Sequence, residues 1–201
     1  MKLYFSPGAC SLSPHIVARE AGLPITLERV SLADKKTASG EDFRAISPKA
    51  QVPAVVLDDG ELLTEGPAIV QYLADQKPES GLIPKAGTRE RYRAIEWLNF
   101  ITTELHKTYS TLFNRKLSDE PKQLARETLK AKYAIVEKAL EGKDYLFGAT
   151  FSVADAYLYT VTRWAGFVGV DLSDFPTLNA FMARVDARPA VREAHAAESA
   201  K

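Results

Sequence analysis

Residues 51–67 read QVPAVVLDDGELLTEGP, and this stretch decides the fold. Residues 54–57 are an uninterrupted apolar run. Asp58, Asp59 and Gly60 form a turn of the Asp-Gly type that joins paired strands, and residues 61–64 follow as the second strand of the hairpin. At Glu65, Gly66 and Pro67 the periodicity changes. Ile69, Val70, Tyr72 and Leu73 recur at helical spacing through residue 76, and Pro67 suits a first helical turn, where a missing N–H costs nothing. A proline just before an apolar strand, Pro53, can hold a cis bond.

Working outward, residues 2–5 (KLYF) read as a strand stopped by Ser6, Pro7 and Gly8. Leu12, Ile16, Val17 and Ala21 then mark one side of a helix that ends at Gly22. Residues 26–31 alternate as a second strand, and residues 41–46 suit a short helix. The order is βαβαββα. Two parallel strands joined by a helix, followed by a hairpin, predict a four-stranded mixed sheet covered by helices.

Residues 77–88 contain Pro78, Gly81, Pro84 and Gly87 and read as a linker. Beyond it the pattern is helical, over 89–112, 121–140, 153–168 and 178–187. The fold class is therefore α/β plus all-α, with an N-terminal domain over 1–80 and an all-helical bundle over 88–201. Charge divides along the same line: residues 1–80 hold 8 basic and 11 acidic side chains, residues 81–201 hold 18 and 15.

Composition limits the function. In 201 residues, Lys+Arg is 26 and Asp+Glu is 26, so the basic excess of a dedicated nucleic-acid binder is missing. No apolar run approaches a membrane span. One cysteine excludes an internal disulfide and a cysteine zinc site, and an unpaired thiol fits a reducing compartment, hence a cytoplasmic location. No His/Glu cluster has metal spacing, so no metal is expected.

Several residues could carry chemistry. Cys10 lies between a strand and a helix, where free amides and the helix dipole favour a thiolate; a small buried hydrophobe is the plain alternative. No second cysteine follows at dithiol spacing, so redox chemistry there would need an external thiol. The backbone at Val52, before Pro53, could pair with an extended peptide. Glu65 offers a carboxylate for an ammonium group, and Gly66 offers an amide at a helix start for a carboxylate. Together they resemble an amino-acid clamp. Asn99, Thr103 and His106, at i, i+4 and i+7, share one face of an α-helix, with Glu104 and Lys107 beside it. Ser152 and Asp155 form a capping box, which reads as structural: loss of Asp155 should impair folding more than chemistry.

These segments (SPGACSLSPHI, PKAQVPAVVLDDG, LLTEGPAIVQYLAD, ELHK and FSVADAYLY) resemble the cytosolic glutathione S-transferases, and Cys10 with His106 is similar to the bacterial beta class. The resemblance runs over residues 1–197. It implies a thioredoxin-like domain followed by a helical domain, usually as a homodimer, with glutathione as co-substrate. It also implies roles by position. Gln51, Val52 and Pro53 would meet the cysteinyl part of glutathione. Glu65 and Gly66 would hold the γ-glutamyl end, and Lys35 the glycyl carboxylate. Cys10 would sit near the sulfur. Asn99, Thr103, Glu104, Leu105, His106 and Lys107 would line the cleft from the helical side. The expected catalytic group is Cys10, His106 and Ser11, and the electrophile would lie near His106, Phe113 and Trp164.

Two positions depart from the family pattern. Phe5 stands where beta-class members often have Tyr, so Ser11 becomes a candidate donor to sulfur. Gly66 stands where the wider family often has Ser. The activity implied is conjugation of glutathione to hydrophobic electrophiles, a detoxification reaction. Two rival readings are thiol transfer or reductive dehalogenation through a Cys10 mixed disulfide, and a non-enzymatic ligand carrier.

Overall fold

The computed structural model describes residues 1–200. It divides into two compact units: Met1–Ile83 together with the C-terminal segment that starts at Arg188, and Pro84–Ala187.

The first unit holds β1 (Lys2–Phe5), α1 (Leu12–Glu20), β2 (Thr26–Arg29), α2 (Phe43–Ile46), β3 (Ala54–Val56), β4 (Leu62–Thr64) and α3 (Gly66–Asp75). The sheet order is β2-β1-β3-β4. β1 pairs in parallel with β2 and antiparallel with β3, and β3 pairs antiparallel with β4. This is the four-stranded mixed sheet expected from the hairpin and the βαβ step, in the thioredoxin-like arrangement that the family resemblance implies. Strand alternation distributes the core over both faces. Tyr4 points to one face and stacks on Phe43 of α2 at 5.4 Å, in a cluster with Val30, Val52 and Ala54. On the other face Phe5 packs against the His15 ring of α1. Helix α1 is buried along almost its whole length and packs against α3.

A last helix, α10 (Pro189–Ser199), also belongs to this unit and packs on α1. The sequence reading extended the helical domain to residue 201 and assigned no helix here. Val191, Ala194 and Glu198 are nonetheless its buried positions, at i, i+3 and i+7. Arg188 grips the carboxylate of Glu20 with two nitrogens, at 2.6 and 2.8 Å, and starts the segment.

The second unit contains α4 (Arg89–Phe100), α5 (Lys107–Phe113), α6 (Asp119–Leu140), α7 (Val153–Thr162), α8 (Ala165–Val168) and α9 (Pro176–Asp186). All ten residues of α7 are buried, so it is the central helix. Its start matches the capping box. Ser152 accepts from the Asp155 amide, while the Asp155 carboxylate accepts from the Ser152 amide at 2.9 Å and from the Leu146 amide at 2.8 Å. Helix α9 has no side-chain cap of its own. Instead Glu137 of α6 accepts from the Thr177 and Leu178 amides at 2.9 and 2.7 Å.

Between α4 and α5, residues Ile101–His106 form a π-helical turn. A wider turn rotates later residues relative to earlier ones. The expected shared face of Asn99, Thr103 and His106 is therefore broken: Asn99 and Thr103 are exposed, whereas His106 turns inward and is largely covered. No helix among the described residues is long and apolar enough to cross a membrane.

Candidate active site

The first unit gathers one set of predicted residues around the end of β1 and the start of β3. β3 pairs with both neighbours from Ala54, which stands opposite Tyr4 and Thr64. Gln51, Val52 and Pro53 precede that first paired residue, with Val52 and Pro53 buried and Gln51 exposed. The Val52–Pro53 peptide is cis.

Cys10 donates its thiol hydrogen to the Val52 carbonyl, with sulfur and oxygen 3.3 Å apart. Burial pushes this thiol up to about 12, against the opposing pull of the Cys10 and Ser11 amides. The sequence leaves two readings open at this position, a thiolate favoured by the helix terminus and a plain buried thiol. Desolvation favours the second, and Cys10 is a protonated donor near neutral pH. Ser11 departs from expectation. It is fully buried, and its hydroxyl donates to the Ser6 carbonyl at 3.2 Å and accepts from the Ser6 amide at 3.1 Å. Ser11 thus closes the loop before α1, and its hydrogen is committed there.

Glu65 is the N-cap of α3, with φ at 71° and ψ at 116°. Such a conformation is costly for a residue with a Cβ, roughly 1–3 kcal/mol, and persists only where surroundings impose it. Its carbonyl accepts from the Ala68 and Ile69 amides. Pro67 has no N–H, so Gly66 carries the one first-turn amide that this carbonyl does not take up. A Cβ built at Gly66 would meet only Pro53 Cγ, at 4.0 Å. The Glu65 carboxylate receives the Lys49 ammonium, which also donates to Thr64 Oγ1 at 3.0 Å. Lys49 lay inside a quoted motif but was not singled out from sequence. Lys35, with φ at 60°, donates from Nζ to the Ala50 carbonyl at 3.1 Å.

The second unit holds the remaining predicted residues, on and around the π-helical turn. His106 Nδ1 lies 2.6 Å from the Tyr157 hydroxyl. Burial, with a smaller effect of the Lys107 charge, holds this imidazole down to about 4, so it is neutral near pH 7. Trp164 is a hub of edge-on ring contacts, with His106 at 4.9 Å, Tyr109 at 5.6 Å and Phe113 at 5.6 Å. Trp164 is buried and Phe113 is half exposed. Glu104 pairs with Lys132 at 2.7 Å, which lowers its carboxyl. Leu105 is buried, and Lys107 is exposed. Among the described residues no group of three or more His, Cys, Asp or Glu side chains could hold a metal ion.

A thioredoxin-like four-stranded mixed sheet followed by a helical unit is the architecture of the glutathione transferases. Family models agree: "Glutathione S-transferase, N-terminal domain" matches residues 8–76, and "Glutathione S-transferase, C-terminal domain" matches residues 100–189. The chain belongs to the glutathione S-transferase family. It is 47% identical to glutathione S-transferase GstA of Escherichia coli O157:H7, with both chains covered in full. It is 38% identical to glutathione S-transferase GST-4.5 of Xanthomonas campestris pv. campestris, over 98% of each. Among solved structures, a ternary complex of BphK, a bacterial glutathione transferase, superposes with a TM-score of 0.97 at 54% identity and full coverage of both chains. A beta-class glutathione S-transferase from Sphingomonas chungbukensis superposes at 0.95 with 46% identity over 99% of each. A sphingomonad glutathione S-transferase complexed with glutathione superposes at 0.96 with 47% identity over the full length of both.

Proposed function

We propose that this protein conjugates glutathione to hydrophobic electrophiles. One observation carries the reading: within one unit, two of the groups that glutathione would need are engaged by internal side chains of matching chemistry. The Val52 carbonyl accepts a thiol hydrogen from Cys10, and the Glu65 carboxylate accepts an ammonium from Lys49. In the proposed complex the cysteinyl backbone pairs at Val52, flanked by Gln51 and Pro53. The γ-glutamyl ammonium takes Glu65 and its carboxylate takes the Gly66 amide. Lys35 serves the glycyl carboxylate. The solved complex of the sphingomonad relative with glutathione supports glutathione as the ligand.

The chemistry is a displacement or addition by sulfur. The glutathione thiol loses its proton to solvent. The thiolate pair forms a bond to an electrophilic carbon, and the leaving group departs with the pair of the bond it breaks. The protein contributes binding and a lowered thiol pKa through the donors around the sulfur, and Cys10, as a neutral thiol, is one such donor. His106 and the rings gathered on Trp164 are the helical unit's contribution, with Phe113 suited to apolar groups. We further propose that the chain acts as a homodimer in the cytoplasm, with Asn99 and Thr103, both exposed, available to a second copy.

The first test is conjugation of glutathione to chlorodinitrobenzene, with the uncatalysed rate subtracted, alongside calorimetric titration with glutathione. A clear enzymatic rate is expected, and loss of it in Glu65→Ala. Glutathione binding without conjugation would transfer the assignment to mixed-disulfide chemistry at Cys10. No binding at all would leave the ligand-carrier reading.

A further inference from the structure

The contact between His106 and Tyr157 fixes more than a position. A phenol hydroxyl is a good donor and a poor acceptor, and a neutral imidazole nitrogen is a good acceptor. At 2.6 Å the bond is therefore Tyr157 O–H to His106 Nδ1. With Nδ1 accepting, the single ring proton resides on Nε2.

The surroundings hold this arrangement from several sides. Tyr157 is 2% exposed and sits in the fully buried α7. It lies two positions after Asp155, so the capping box that starts α7 also sets its place. Its ring meets the imidazole edge-on at 5.8 Å, and Trp164 meets the imidazole from another direction at 4.9 Å. Thr102, inside the π-helical turn, donates its hydroxyl hydrogen to the Leu98 carbonyl at 2.7 Å, and its oxygen lies 3.5 Å from the Tyr157 oxygen. Burial keeps the ring neutral near pH 7.

We propose that Tyr157 is a positioning residue that locks His106 as the Nε2–H tautomer, which makes His106 a hydrogen-bond donor in the reaction and not a general base. The proposal rests on the glutathione-transferase reading given above. A donor of this kind suits an anionic sulfur, or negative charge that develops on the electrophile, and would strengthen as that charge grows. A ring with its proton on Nδ1 would offer only a lone pair, which repels the same charge.

The test has two parts. Long-range proton–nitrogen correlation spectra of the ligand-free protein, labelled with 15N, report the tautomer directly. Wild type is expected to show Nε2–H, and Tyr157→Phe, which keeps the ring and loses only the hydroxyl, is expected to show a mixture. The second part is kinetic. Tyr157→Phe should lower kcat for conjugation by about 5- to 10-fold, the range of one lost hydrogen bond, with KM for glutathione within about two-fold. In a His106→Ala background the same change should have no further effect. His106→Gln, whose amide nitrogen stands near Nε2, should retain more activity than His106→Ala. An Nδ1–H ring in wild type would overturn the proposal. So would an undiminished effect of Tyr157→Phe in the His106→Ala background. A wild-type protein that does not conjugate glutathione would instead overturn the functional reading, and the spectra would still decide the tautomer.

Discussion

His15 and Glu198, 183 positions apart, meet in the interior of the first unit, with Nδ1 and Oε1 separated by 3.1 Å. Arg19 donates from Nε to His15 Nε2 at 3.3 Å, so the imidazole proton sits on Nδ1 and points to the carboxylate. The other oxygen of Glu198 accepts from the Gly8 amide at 3.4 Å, in the loop that carries Cys10.

Removal of this carboxylate leaves a buried N–H without its acceptor. Glu198→Ala should therefore lose about 2–4 kcal/mol of stability in urea unfolding, and Glu198→Gln about half of that. Because Glu198 also accepts from the Gly8 amide in the Cys10 loop, alkylation of Cys10 by iodoacetamide should speed up in the folded variant. An unchanged alkylation rate would show that the loop does not depend on Glu198.

Asp155 accepts from two backbone amides and the Ser152 hydroxyl while fully buried. Asp155→Ala should cost about 2–4 kcal/mol, more than an exposed cap, because the Leu146 and Ser152 donors remain buried. Variant protein that stays folded at low temperature should keep most of its specific activity. A loss of activity without a loss of stability would contradict the structural role.

At Glu65 stability and binding should move in opposite directions. Glu65→Gly removes the penalty of a positive φ and should raise stability by about 1 kcal/mol, read as a higher Tm, while glutathione binding is lost. Lys49→Gln frees the carboxylate from its internal ammonium. It should tighten glutathione binding by a few-fold in calorimetry, since the ligand no longer competes with Lys49. Weaker binding in that variant would mean that Lys49 assists the ligand.

Space at position 66 allows a further change. A Cβ there makes only ordinary contact with Pro53, so Gly66→Ser should fold normally. Its hydroxyl would add a donor beside the Gly66 amide and lower KM for glutathione by roughly 2- to 10-fold, the range of one hydrogen bond.

His106 predicts a pH dependence. Its folded pKa, about 4, lies below the unfolded value of about 6.5. The unfolded chain therefore takes up this proton first as pH falls. The stability contribution is present above about pH 6.5 and is lost as pH falls through 4, up to about 3 kcal/mol. Urea unfolding at pH 7 and pH 4.5 should show a larger loss for wild type than for His106→Gln.

The hairpin, the βαβ order and the capping box were legible because each rests on local rules: turn chemistry, strand alternation and cap spacing. Element ends moved by one or two residues, as at β2, where pairing stops at Arg29. What could not be read came from tertiary context. The π-helical turn at Ile101–His106 leaves no mark in an i, i+4, i+7 pattern, so the shared face of Asn99 and His106 did not survive. The state of Cys10 followed from burial, which outweighs a helix terminus and is invisible in a motif. Helix α10 was missed among alanines, although Val191, Ala194 and Glu198 carried the signal. Glu198 itself could not be linked to His15 or Gly8 from sequence.

The C-terminal helix has a consequence for how the chain is made. The first unit is built from two segments, Met1–Ile83 and the one that starts at Arg188, with Pro84–Ala187 between them in sequence. A ribosome that delivers residues in order can complete the inserted helical unit before it releases the last strap of the unit that began emerging first. Until Glu198 arrives, the buried His15 ring lacks its carboxylate. The unit that carries the sheet thus begins to be synthesised before the helical unit and is completed after it.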